Sequence, residues 1–241
     1  MKRRATLFNR DDRGFEAACR QWPGRRKVLV EGDSWFQYDF AFAMGGTNLY
    51  KEVINLHPMV SLAMSKNGDT ALNMLSEKNL DRVKEKLTKH SFDYLFLSAG
   101  GNDIVNNLHQ LSNQGALMEE IRDRYLRLCE IRDWVSPKTK IITHNYGYPN
   151  LERGAFKRLG GLVTVGPWIV PKLKAQGIED LWVMDRIIVG LMDRFSKMLS
   201  TLDGKIFVAD TASVVKKDHW RDEMHLTKEG FEVAAGAFFR N

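Results

Sequence analysis

Residues 27–36 read KVLVEGDSWF. An apolar run of this kind, closed by a glycine, is what a strand buried on both faces of a parallel sheet looks like, and the Gly32-Asp33-Ser34 that follows puts a hydroxyl just beyond the strand's carboxyl end. Similar runs occur around Val60 to Met64, at Tyr94 to Ser98 (YLFLS), at Lys140 to His144 (KIITH) and at Lys205 to Ala209 (KIFVA). Between them lie helical patterns, with Leu72, Leu75, Leu80, Val83 and Leu87 near helical spacing, then Leu117, Ile121, Tyr125, Leu128 and Arg132, then Leu181, Met184, Ile188, Leu191, Phe195 and Leu202. Strand and helix alternate along the chain. The fold class is therefore α/β, with a central parallel sheet of about five strands covered by helices on both faces.

In such a sheet, ligands bind beyond the carboxyl ends of the strands, where the connecting loops converge. The polar motifs fall there: Gly32-Asp33-Ser34 after the first strand, Asn67-Gly68-Asp69 after the second, and Gly100-Gly101-Asn102-Asp103 after the third. After the fourth, Asn145 to Asp180 forms a long connection with six glycines, three prolines, Trp168 and several basic residues. A connection of that length inside a domain is usually functional, and 145–180 is expected to be a cap facing the substrate.

The 241 residues, 44% of them apolar, suit one domain spanning 1–241 with an N-terminal extension at 1–26. The formal charge of +6 is spread among 30 acidic residues, which reads as a solvated basic surface rather than a nucleic-acid site. No apolar run reaches membrane-span length, so no integral membrane segment is expected. The basic start MKRR leads into no apolar stretch of signal-peptide length, so the chain reads as cytoplasmic, unless it leaves by a route without a cleaved signal. Cys19 and Cys129 are too few for a disulfide framework or a metal site and read as buried free thiols.

Ser34 is a weak nucleophile until a base takes its proton, and that base needs a third group to orient it. Far along the chain, RDEMHLTKEGF supplies Asp222 and His225 three residues apart. On a helical turn or tight loop this spacing puts both side chains on one face, with one imidazole nitrogen toward the carboxylate and the other toward the serine. Donors for an oxyanion are available in the Ser34 N–H, the Gly68 N–H and the side-chain amide of Asn102.

In their order along the chain, EGDSW, KNGDT, AGGNDI and DEMH resemble the serine, glycine, asparagine and Asp-x-x-His blocks of the SGNH/GDSL hydrolase family, from about Lys27 to Gly236. The resemblance implies a flavodoxin-like three-layer α/β/α fold. It implies Ser34 as nucleophile, Asp222 as orienting acid and His225 as base, with oxyanion donors at Ser34, Gly68 and Asn102. The implied activity is a serine esterase working through an acyl-enzyme on Ser34. The alternatives are an acyltransferase with the same triad, or a non-catalytic carbohydrate- or lipid-binding module on the same fold. The implied partner is a small-molecule, lipid or carbohydrate ester. The chain departs from the family's common form at Trp35 and Phe36, where a small or aliphatic residue usually follows the serine.

Neighbouring residues admit simpler readings. Asp33 is expected to bond backbone amides of its turn, and His219, which follows Asp218, to be a surface or supporting histidine rather than the base. His57, His90, His109 and His144 show no metal-ligand spacing, so no metal or cofactor is expected. The phosphate-cradle patterns GxxxxGK[ST] and GxGxxG are absent, as is GxSxG around Ser34. Of the aromatic run Trp35, Phe36, Tyr38, Phe40 and Phe42, some are expected in the core. Trp35 and Phe36, with Tyr146, Tyr148 and Trp168 of the long connection, are the candidate substrate contacts. Arg153, Lys157, Arg158, Lys172 and Lys174 either steer an anionic substrate or are solvated surface.

Overall fold

A computed structural model describes residues 7–37, 47–158 and 163–239, with only the backbone of 156–158, 163 and 165. Tyr38, Phe40 and Phe42 lie outside the described residues. Six parallel strands form the sheet: β1 (Phe8–Asn9), β2 (Lys27–Gly32), β3 (Val60–Ala63), β4 (Tyr94–Ser98), β5 (Lys140–His144) and β8 (Phe207–Ala209), in the order β1-β3-β2-β4-β5-β8. The five strands expected from the apolar runs are present, the last beginning later than Lys205. The N–H groups of Lys205 and Ile206 turn back to the Leu202 carbonyl, so these two residues belong to the turn before the strand. The sixth strand, β1, lies in the N-terminal extension and pairs Phe8 with Ser61 and Asn9 with Leu62.

Leaving out that edge strand, the order of the remaining five by chain position is 2-1-3-4-5, the flavodoxin-like arrangement. Its switch point lies between β2 and β4, whose connections leave in opposite directions and open a crevice at the carboxyl edge. The loops carrying Ser34 and Asn102 start there.

The helices are α1 (Asp12–Gln21), α2 (Leu49–Leu56), α3 (Ala71–Met74), α4 (Glu77–Lys89), α5 (Gly101–Asn106), α6 (Gln114–Val135), α7 (Val170–Lys174), α8 (Leu181–Ser200) and α9 (Lys228–Ala235). The periodic segment from Leu72 to Leu87 thus folds as two helices, broken at Leu75-Ser76. On one face α2 packs on α9, and Tyr94 and Phe96 meet Phe238 and Phe239. On the other, α6 lies between α4 and α8, and the Tyr125 hydroxyl of α6 donates to the Ala99 carbonyl at 2.9 Å. Val28, Leu29, Val30, Leu95, Phe96 and Leu97 are fully buried between the two layers, which is why β2 and β4 read as unbroken apolar runs. Cys129 is buried, Cys19 partly exposed, and both are free thiols.

Within 145–180 the backbone forms a short 3-10 turn at Leu151–Arg153, an antiparallel pair β6 (Phe156–Arg158) with β7 (Val163–Val165), and α7. No helix among the described residues is long and apolar enough to cross a membrane.

Candidate active site

β2 ends at Gly32, where a Cβ would lie 2.8 Å from the Phe36 ring and 2.9 Å from Ser98, so the strand and the following turn close only on glycine. The Asp33 N–H donates to the Ser98 carbonyl of β4 at 3.0 Å, and the Gln37 N–H donates to the Asp33 carbonyl at 2.8 Å. Ser34 therefore sits on a single turn pinned to the two central strands.

The Asp33 side chain accepts from the Trp35 N–H at 3.0 Å, as its turn chemistry suggested. It also accepts from the Ser98 hydroxyl at 2.7 Å and the Tyr146 hydroxyl at 2.5 Å, and His144 Nε2 meets the Ser98 hydroxyl at 2.9 Å. Burial pushes the Asp33 carboxyl up and the Tyr146 phenol well up, while holding the His144 imidazole down at about 4, so that it stays neutral. This buried polar network under the serine turn was not read from the sequence, where His144 and Ser98 looked like strand residues.

The Asp-x-x-His loop is closed at its base by an antiparallel bridge between Trp220 and Leu226. Inside it, Asp222 Oδ1 accepts from the Met224 N–H at 3.0 Å, the His225 N–H at 2.8 Å and His225 Nδ1 at 3.0 Å, while Arg221 donates to Oδ2 at 3.2 Å. Burial raises the Asp222 pKa, but the His225 bond and charge, the Met224 amide and Arg221 outweigh it and the net direction is down. An ionised carboxylate can only accept, so Nδ1 carries the imidazole proton. The lone pair on Nε2 then faces Ser34 Oγ at 3.0 Å. The three predicted residues are thus brought together in the predicted order, and all are buried. His219 is buried too but stands outside this chain of bonds, its Nδ1 accepting from the Lys216 N–H.

Among the described residues, neither the Ser34 N–H nor the Gly68 N–H donates to another protein group. Gly68 has φ of +75°, a conformation that favours glycine. Asn102 Nδ2 donates one hydrogen to the Asp69 carbonyl at 2.8 Å, leaving a second on the same nitrogen. Next to it, Asp103 accepts from the Ala71 N–H at 2.6 Å and the Leu72 N–H at 3.1 Å, and so fixes the glycine loop to the asparagine loop.

The candidate substrate contacts divide. Phe36 is a correction: it is fully buried against Tyr50, His144 and Phe238, away from the cleft. Trp35 is 3% exposed, stacked on His144, and among the residues lining the cleft. Tyr146 lines the cleft floor, whereas Tyr148 is exposed and donates to Asp193 at 2.7 Å. Trp168 lies against His225, ring centroids 5.2 Å apart. Of the basic residues, Lys172 donates to the Val105 carbonyl at 3.0 Å, and Lys174 pairs with Glu179. Above Ser34 the cleft narrows to a cavity of about 30 Å³ bounded by Asn102, Val105, Tyr146, Met192, Trp220 and Met224.

No protein-family model matches the chain, and comparison with curated proteins finds no match. Among solved structures it is similar to a lipase from a goat rumen metagenome, with 16% identity, a TM-score of 0.59 and coverage of 88% of this chain and 95% of that one. It is also similar to an acetylxylan esterase from Geobacillus stearothermophilus, with 16% identity, a TM-score of 0.57 and coverage of 90% and 93%. A third, a protein assigned as an SGNH hydrolase from Slackia heliotrinireducens, has 13% identity, a TM-score of 0.57 and coverage of 89% and 97%. At identities this low the likeness is one of fold, and the fold of this chain is that of the SGNH hydrolases.

Proposed function

We propose that the protein is a serine esterase acting through an acyl-enzyme on Ser34. The observation that carries the reading is the unbroken hydrogen-bond chain from Ser34 Oγ through the His225 ring to Asp222, 3.0 Å at each step, assembled from loops 191 residues apart. In the first step His225 Nε2 takes the serine proton as Oγ attacks the ester carbonyl, and Asp222 holds the resulting imidazolium in place. The oxyanion is received by the free N–H groups of Ser34 and Gly68 and the second hydrogen of Asn102 Nδ2, donors already fixed before the charge develops. His225 then gives its proton to the leaving alcohol, and water releases the acyl group by the same route.

The cavity of about 30 Å³ beside Ser34 supports a short acyl group. A single water needs roughly 10–15 Å³ of such space, so the enclosed part of the cleft has room for an acetyl group. The test is turnover of p-nitrophenyl esters from acetyl to palmitoyl by the native protein and by Ser34→Ala. The reading expects acetyl preference and loss of turnover in the folded variant. Undiminished turnover by Ser34→Ala would overturn the mechanism, and a long-chain optimum would overturn the acyl size.

A further inference from the structure

Between the two triad residues of the Asp-x-x-His loop stands Glu223, an acid with no exposed surface. Its carboxylate meets three consecutive backbone amides of the 145–180 connection. Oε2 accepts from the Trp168 N–H and from the Ile169 N–H at 2.8 Å, and Oε1 accepts from the Val170 N–H at 3.2 Å. The donors run from the residue before the α7 cap into its first helical residue, where backbone N–H groups have no helical partner. Ile169 and Leu173 are fully buried, so the segment is seated as well as bonded. Gly166 completes the arrangement: it has φ of +81°, and a Cβ there would lie 2.8 Å from the Trp168 ring. The consequence is steric. The indole stands edgewise to the His225 ring at an interplanar angle of 70° and a centroid distance of 5.2 Å.

We infer that Glu223 is a positioning residue for the base. By holding the backbone of 168–170 against the triad loop, it keeps the Trp168 indole on the His225 imidazole, and so keeps Nε2 directed at Ser34 through proton pickup and return. Asp222 meets one nitrogen of the ring and Ser34 the other, and Trp168 packs edgewise against the ring and resists its rotation when the serine bond is exchanged during the reaction. This part of the 145–180 connection is then a fixed wall of the catalytic centre, bolted to it by a carboxylate within the motif itself. The inference rests on the esterase reading.

The experiment is a double-mutant cycle on Glu223→Ala and Trp168→Ala, read by kcat and KM for p-nitrophenyl acetate and by the rate at which a fluorophosphonate labels Ser34. Each single variant is expected to lose about tenfold to a hundredfold in kcat and in labelling rate with KM little changed, as for a displaced catalytic group. The double variant should be no worse than the poorer single one, because both changes release the same contact. Trp168→Phe, which keeps a ring beside His225, should recover most of the loss. If Glu223→Ala does not fold, Glu223→Gln and Gly166→Ala replace it. Gln keeps one acceptor oxygen but turns an amide NH2 toward the backbone N–H groups, and Ala at 166 displaces the indole. Losses that multiply in the double variant, or a Glu223 variant with lowered melting temperature and unchanged kcat and labelling, would overturn the inference. Failure of the esterase reading shows separately, as a native protein whose Ser34 does not label at all.

Discussion

The indole Nε1 of Trp35 donates to the carbonyl of Met224 at 3.0 Å, fastening the residue after the nucleophile to the residue before the base. The ring is held in addition by His144, Tyr146, Trp220 and Phe231 around it. Ser34 and His225 come from opposite ends of the chain, and this one side chain crosses from one loop to the other. Trp35→Phe keeps most of the packing and removes the bond, which costs about 1 kcal/mol of stability by the usual worth of a neutral hydrogen bond. Because the bond spans the two catalytic loops, kcat for p-nitrophenyl acetate should fall by about tenfold as the serine–histidine distance loosens. The same loss of stability with unchanged kcat would show that the bond serves the fold alone.

Asn102 lines the cleft and commits one amide hydrogen to the Asp69 carbonyl, which leaves a second on the same nitrogen. Asn102→Ala should lower kcat by roughly a hundredfold or more, the cost of one oxyanion donor, with KM nearly unchanged. Steady-state kinetics on the acetyl ester separate the two parameters. A rise in KM with kcat preserved would place Asn102 in ground-state binding instead.

The hydroxyl of Tyr146 reaches Asp33 Oδ2 at 2.5 Å in a site closed to solvent. Tyr146→Phe keeps the ring on the cleft floor and takes away one of the donors that stabilise the buried carboxylate. The expected loss is about 1–3 kcal/mol, the cost of leaving a buried charged acceptor short of a partner. Urea unfolding of the two proteins measures it.

Glu31, buried one residue before Gly32, has its carboxyl pushed by burial from 4.5 to about 7. A folded pKa above the unfolded one means that the folded state holds the proton more tightly. Its favourable contribution is complete below about pH 4.5 and is lost as pH rises through about 7. Asp103, raised by burial to about 6, acts in the same sense, whereas His144, lowered to about 4, acts in the opposite one, so total stability does not isolate the effect. The difference between the native protein and Glu31→Gln does. At about pH 3.5, below both pKa values, the amide mimics the protonated acid and the two should be equally stable. At pH 8 the variant should be more stable by up to about 3 kcal/mol, at 1.36 kcal/mol per pKa unit. Equal differences at both pH values would show that Glu31 does not titrate in this range.

The sheet was legible because each central strand is buried on both faces and so appears as a short apolar run such as YLFLS. β1 was not, because two residues at an edge, one of them Asn9, carry no such pattern. Ser34, Asp222 and His225 could be placed together from a parallel sheet's habit of gathering its loops at one edge. Glu223 escaped notice because an acid between two polar residues looks like surface, and only the arrival of a segment more than fifty residues earlier makes it buried. Phe36 was misjudged for the converse reason: adjacency to the nucleophile in sequence says nothing about direction, and the turn after Ser34 points its ring into the core.

The measurement closest to the central claim is the site and stoichiometry of covalent labelling by a fluorophosphonate, which reacts only with a serine whose hydroxyl is activated and whose oxyanion site is formed. One adduct per chain is expected, on the peptide bearing Ser34, with labelling slowed by about a thousandfold or more in His225→Ala. A folded native protein that takes no adduct, or takes it on another residue, would contradict the account.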